Sequence, residues 1–133
     1  MTDQSFALLS VRMFAAGTKL RTGVAPDDYT AVEDLSAGEA IYDPINRRFH
    51  DIADMSCGTL DRERARAQGL DLYRLGPVAG TAAPVRCMIE SRDLSPVRRK
   101  SSADDSGEAD VFYGLHFGAR VIVDTGAALC EVR

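Results

Sequence analysis

The chain has 133 residues, with sixteen Lys and Arg against twenty Asp and Glu for a net charge of −4. That length suits one ordinary domain, and an apolar fraction of 45% supplies a core and excludes full disorder. The acidic balance counts against sequence-independent nucleic-acid binding, which needs a positive surface to displace counterions.

Short strands dominate the reading in chain order. Residues 6–11 form a brief apolar run, and residues 18–22 alternate with period two. Residues 23–28 carry Gly, Pro and two Asp, which is turn chemistry. Residues 30–35 lead to a tight turn at 36–39, a strand at 40–42, a second turn at 43–46 and a return strand through Phe49 and Ile52. Residues 61–68 are good helix formers with alternating charge ending at Gly69, so one short, solvated surface helix is expected there. Residues 70–78 resume as strand or irregular chain with Gly76-Pro77 as a breaker, and residues 85–90 alternate as a strand. Residues 100–110 hold almost no apolar side chain and read as a mobile surface loop. The strongest strand signals close the chain, at residues 111–113, 115–117 and 120–123, with Gly126 turning into a last strand at 128–132. The fold class is mainly β, in one domain with one short helix.

Three cysteines (Cys57, Cys87 and Cys130) are widely spaced without a CxxC pair, and His50 and His116 stand far apart. A structural zinc site needs four soft ligands in recognisable pairs, so no metal is expected, and no motif implies another cofactor. The thiols read as reduced and partly buried, as in the cytoplasm. The apolar run at residues 6–9 is too short to span a bilayer and lacks the basic lead of a signal peptide. A soluble location is expected, cytoplasmic or within a soluble assembly, with no membrane partner.

Three segments carry a family resemblance. The first is Met13-Phe14-Ala15-Ala16-Gly17-Thr18, followed by Val32-Glu33-Asp34-Leu35-Ser36-Ala37-Gly38-Glu39. The second is Arg92-Asp93-Leu94-Ser95-Pro96-Val97-Arg98-Arg99, and the third is Tyr113-Gly114-Leu115-His116-Phe117-Gly118-Ala119-Arg120. In this order they resemble the bacterial Hedgehog/intein (Hint) family, whose members begin Cys-Phe with Gly-Thr two residues on. Such members carry Asp-Leu-x-x-Ser-Pro-x-His-Arg in the middle, one residue longer than here, and close on Tyr-x-x-Leu-x-x-Asp-x-His. The resemblance runs from about Met13 to Glu131, while residues 43–83 match nothing in it. It implies a pseudo-symmetric set of bent β-hairpins, with residues 1–12 as an N-terminal strand or extension. Gly17, Gly38 and Gly126 fall where turns need freedom in φ, and Leu20, Val32, Leu35 and Ile41 supply core.

The resemblance also implies which positions should do chemistry, and there the chain departs from it. The family's first Cys or Ser attacks the preceding carbonyl; here that position is Met13, whose thioether has no proton to lose. Ser95 keeps the family's hydroxyl position, but the His position holds Arg98, which stays protonated and cannot cycle as a general acid and base. The family's Asp falls at Gly118 and its His at Arg120, with His116 nearby but out of register. No catalytic, cofactor or metal residue is therefore expected. The cleft arginines Arg98 and Arg120 could bind a carboxylate or phosphate, and the plainer expectation is an ion pair with Asp93 or Glu131.

These readings favour a non-catalytic Hint-like structural or protein-interaction module, such as a small subunit of a larger assembly of the phage-particle kind. A protein partner is expected and a homo-oligomer is compatible, with an exposed strand edge or apolar patch as the means. Two alternatives stand beside it: self-cleavage by a displaced nucleophile, Ser10 or one of the cysteines, and a β-rich module unrelated to Hint.

Overall fold

A computed structural model describes residues 9–75, 85–93 and 110–133. Eleven strands lie within them: β1 (Val11–Ala15), β2 (Lys19–Arg21), β3 (Tyr29–Ala31), β4 (Ala40–Asp43), β5 (Arg48–Asp51), β6 (Asp54–Leu60), β7 (Leu70–Leu75), β8 (Val85–Glu90), β9 (Asp110–His116), β10 (Val121–Asp124) and β11 (Leu129–Val132). The mainly β class expected from the sequence is the one observed. A single short α-helix, α1 (Arg62–Ala67), is present among the described residues. It starts where the sequence places it, because the Asp61 carboxylate accepts the Arg64 backbone N–H at 2.8 Å as an N-cap.

Five strands form one antiparallel sheet in the order β6-β9-β1-β8-β7. The other six form three antiparallel hairpins, β2-β3, β4-β5 and β10-β11. The turn that leads into β4 follows the turn chemistry of the sequence. At residues 36–39 the Glu39 carboxylate accepts the Ser36 N–H at 2.7 Å, and Gly38 takes φ +95°, a left-handed value that costs other residues more.

The sheet is apolar on both faces, and each face has its own cover. Val11, Phe14, Tyr73, Val85, Cys87, Ile89 and Leu115 join the larger core, into which the hairpins insert Leu20, Val32, Ile41, Val121, Val123 and Cys130. The expected core residues Leu20, Val32, Leu35 and Ile41 are all buried there. Ala15, Leu60, Leu70, Leu72, Met88 and Phe112 form a second cluster, capped by Ala65 of α1. The helix is thus solvated on most of its surface and anchored by one small buried side chain.

Two expectations need correction. Among the described residues the first strand spans Val11–Ala15, beyond the apolar run read at residues 6–11, so the Arg12–Met13 boundary lies inside it. Residues 6–8 fall outside the described residues. Strand β6 was not expected at all: its sequence, Asp-Met-Ser-Cys-Gly-Thr-Leu, is small and polar, and pairing with β9 over seven residues makes it a strand. The surface loop expected at residues 100–110 lies outside the described residues up to 109, and Asp110 already belongs to β9.

Candidate functional site

The family-like segment that begins at Met13 sits on the central strand of the five-stranded sheet. β1 pairs with β8 through Val11↔Ile89, Met13↔Met88 and Phe14↔Cys87, and with β9 through Phe14↔Tyr113. One residue step on β8, Ile89 to Met88, faces two steps on β1, from Val11 to Met13. Arg12 is the extra residue of a β-bulge. The bulge reverses the side-chain alternation, so Val11 enters the larger core with Phe14 while Met13 packs against the smaller cluster on the other face. Met13 therefore serves as packing, its partly buried side chain laid against that cluster.

Released from the alternation, Arg12 extends over the sheet and donates to Glu90 at 2.6 Å. Arg92 reaches the other oxygen of Glu90 at 2.9 Å. The hydrogen bond from Arg12, aided by the charge of Arg92, outweighs desolvation and holds the Glu90 carboxyl below its ordinary range. Together with Ser10, Val11, Leu115, His116 and Arg133, these side chains line a groove of about 540 Å³.

A polar cluster at the edge of that groove was not foreseen. Ser56 on β6 lies opposite Gly114 on β9, and its Oγ is 3.2 Å from His116 Nε2. A Cβ built on Gly114 would meet Ser56 Oγ at 2.6 Å, the Arg12 carbonyl oxygen at 3.2 Å and His116 Nε2 at 3.5 Å. The missing side chain at 114 is what lets a hydroxyl, an imidazole and the carbonyl of the Arg12–Met13 bond converge. His116, out of register in the sequence alignment, is thus a neighbour of that bond in space. No sequence signal marked Ser56, because its segment did not read as a strand.

The remaining predicted positions do not join this cluster. Gly118 lies in the turn after β9 with φ +77° and offers no side chain. Arg120 donates to Glu131 through Nε at 2.6 Å and through Nη2 at 2.5 Å, so the expected plain ion pair is the one observed for this arginine. Glu131 is nearly covered while Arg120 is largely exposed. Ser95 and Arg98 lie outside the described residues, as does any pairing they make.

The thiols add no further chemistry near the groove. Cys57 is exposed, Cys87 and Cys130 are buried, and the three form no disulfide with one another. Burial pushes the Cys130 thiol up to about 12, with Asp124 and Glu131 acting in the same direction. Among the described residues no group of three His, Cys, Asp or Glu could hold a metal ion, and no helix is long and apolar enough to cross a membrane. A larger hollow of about 610 Å³ lies at the other end of β1, beside Gly17, Lys19, Tyr29 and Arg86, and no Ser, His or Cys lines it.

No family model, no curated protein and no solved structure matches this chain.

Proposed function

We propose that this chain is a Hint-like domain that keeps the scaffold without self-cleavage and acts as a structural or protein-interaction module. Its setting is a soluble assembly, such as a small subunit of a phage-like particle. The observation that supports this reading most is the use made of the family's reactive positions. Met13 is packed into an apolar cluster in the middle of a paired strand, Gly118 is a turn, and Arg120 is committed to Glu131. Each of these three described positions performs a structural task that a nucleophile, an acid or a proton shuttle would perform less well.

One observation favours a second reading, cleavage of the Arg12–Met13 bond by a displaced hydroxyl. Ser56 and His116 have nucleophile-and-base spacing and stand beside the Arg12 carbonyl oxygen. Ser56 Oγ would add to the Arg12 carbonyl carbon as His116 takes its proton. The C–N bond would then break with that proton passing to the Met13 nitrogen, and water would open the resulting ester. Against it stands the location: the bond is held in a strand with neighbours on both sides.

Substitutions separate the two readings. Met13→Cys returns a thiol to the family's attacking position; the non-catalytic reading expects no fragment from this variant even in hydroxylamine, which captures esters and thioesters. Release of a fragment beginning at residue 13 from the unaltered chain would overturn it. Cleavage of the unaltered chain that disappears in Ser56→Ala and His116→Ala would establish the second reading.

A further inference from the structure

Among the described residues, strand β5 has a partner on one side only. It pairs with β4 through Ala40↔Asp51, Ile41↔His50, Tyr42↔Phe49 and Asp43↔Arg48, and the two make a two-stranded sheet. Just beyond it, Ile52 donates its N–H to the Glu39 carbonyl and accepts from the Gly38 N–H, both at 2.8 Å. Backbone groups alternate sides along a strand. Those of His50 and Arg48 therefore face β4 like those of Ile52, and those of Phe49 and Asp51 face outward.

The side chains on this hairpin and the turn beside it are unusual for an unprotected surface. Val24, Ile45 and Phe49 are the exposed large apolar residues among those described, at 62%, 58% and 51% exposure. Ile45 and Phe49 belong to the β4-β5 hairpin. Val24 is tied to it through Arg21, which donates to the Val24 carbonyl at 2.5 Å and stacks over the Tyr42 ring at 5.1 Å. Tyr42 in turn lies 5.1 Å from the Phe49 ring. Arg47 and Asp51 flank Phe49 and are both exposed without an ion-pair partner among the described residues.

We propose that the outer edge of β5 binds a second copy of this chain, pairing antiparallel across a two-fold axis through Phe49 to give a four-stranded β4-β5-β5-β4 sheet. An isologous contact of this kind requires a surface complementary to itself, and the register supplies one. Outward groups must meet outward groups, so Phe49 pairs with Phe49 or with Asp51. The second register would set each Phe49 ring against the other copy's Asp51 carboxylate and leave Arg47 beside Ala53, with no opposite charge to meet. The first sets the two Phe49 rings together at the centre and brings Arg47 of each copy, at the end of the turn before β5 with φ +53°, to the Asp51 end of the other, so that opposite charges flank an apolar middle. On the reverse face it sets Arg48 opposite His50, whose Nε2 lies 3.3 Å from its own Asp43 carboxylate, so a negative charge accompanies that pair. The contact is small beside a stable dimer's roughly 800 Å² per partner, which makes the association reversible and concentration-dependent. It holds whether or not the Hint-like reading does.

Light scattering coupled to size exclusion tests this on the full chain between ~10 µM and ~1 mM, the range in which small interfaces associate. The mass is expected to rise from 14.4 kDa toward twice that value, and Phe49→Glu to remain at the monomer mass throughout. Arg47→Asp and Asp51→Arg are each expected to require at least tenfold more protein to associate. An equimolar mixture of the two is expected to recover association as a heterodimer, since one copy then carries two acidic and the other two basic flanks. That recovery also shows that both variants fold. A monomer at every concentration overturns the proposal, as does a dimer indifferent to Phe49→Glu, or a mixture that associates no better than its components.

Discussion

Replacing Asp43 should loosen the β4-β5 hairpin by an amount that the structure allows to be worked out. Its side chain is fully covered and accepts four hydrogen bonds: the Ile45 and Asn46 backbone N–H groups at 2.9 Å each, Asn46 Nδ2 at 2.7 Å and His50 Nε2 at 3.3 Å. Three of these donors belong to exposed turn residues and can turn to water, so each bond contributes near the low end of the usual range, about 0.5–1.5 kcal/mol. Asp43→Ala should therefore cost about 2–4 kcal/mol, a fall in Tm on the order of 10 °C, and Asp43→Asn, which keeps one acceptor, roughly half as much. Burial opposes the charge, but the bonds from Asn46, His50 and Ile45 outweigh it and hold the Asp43 carboxyl below its ordinary range. A depressed folded-state value means that the contribution is fully present above the ordinary carboxylate range and fades as pH falls through the folded value. Urea unfolding of the three proteins across a pH series measures both effects. A loss under about 0.5 kcal/mol for Asp43→Ala, or a difference that does not shrink on acidification, would refute this reasoning.

Three further outcomes follow from single observations. Of the three thiols only Cys57 is exposed, so a maleimide should modify one site in the native chain and three after unfolding, counted by mass. Arg120→Ala leaves the covered Glu131 carboxylate without its guanidinium and should destabilise by about 1–3 kcal/mol in urea, whereas Arg12→Ala, whose partner Glu90 retains Arg92, should lose well under that. Gly17 has φ +91° with no atom within 4 Å of an added Cβ, so Gly17→Ala should cost about 1–2 kcal/mol from backbone strain alone, readable as a shifted urea midpoint with an unchanged slope.

Much of the fold is legible in the sequence where local chemistry decides it. The turns at 36–39 and 43–46, the helix opened by Asp61, and the strands at 40–42, 85–90 and 128–132 all carry turn, cap or alternation signals. β6 carries none, since Ser56, Cys57 and Gly58 become strand only through the ladder to β9. The position of the first strand was hidden for a related reason. A bulge at Arg12 breaks the period-two pattern, so Val11–Ala15 carries no alternation that would mark it as a strand. At the site, Arg120–Glu131 could be anticipated because both residues flank one hairpin. Ser56 and His116 could not, because sixty residues separate them and only the absence of a side chain at Gly114 brings them together.

The central claim, a scaffold kept without its self-cleavage, is tested most directly by the intact mass of the purified chain before and after prolonged incubation with thiol or hydroxylamine. A single species at 14.4 kDa in every condition is the predicted result. A fragment beginning at Met13, accumulating with time, would contradict it.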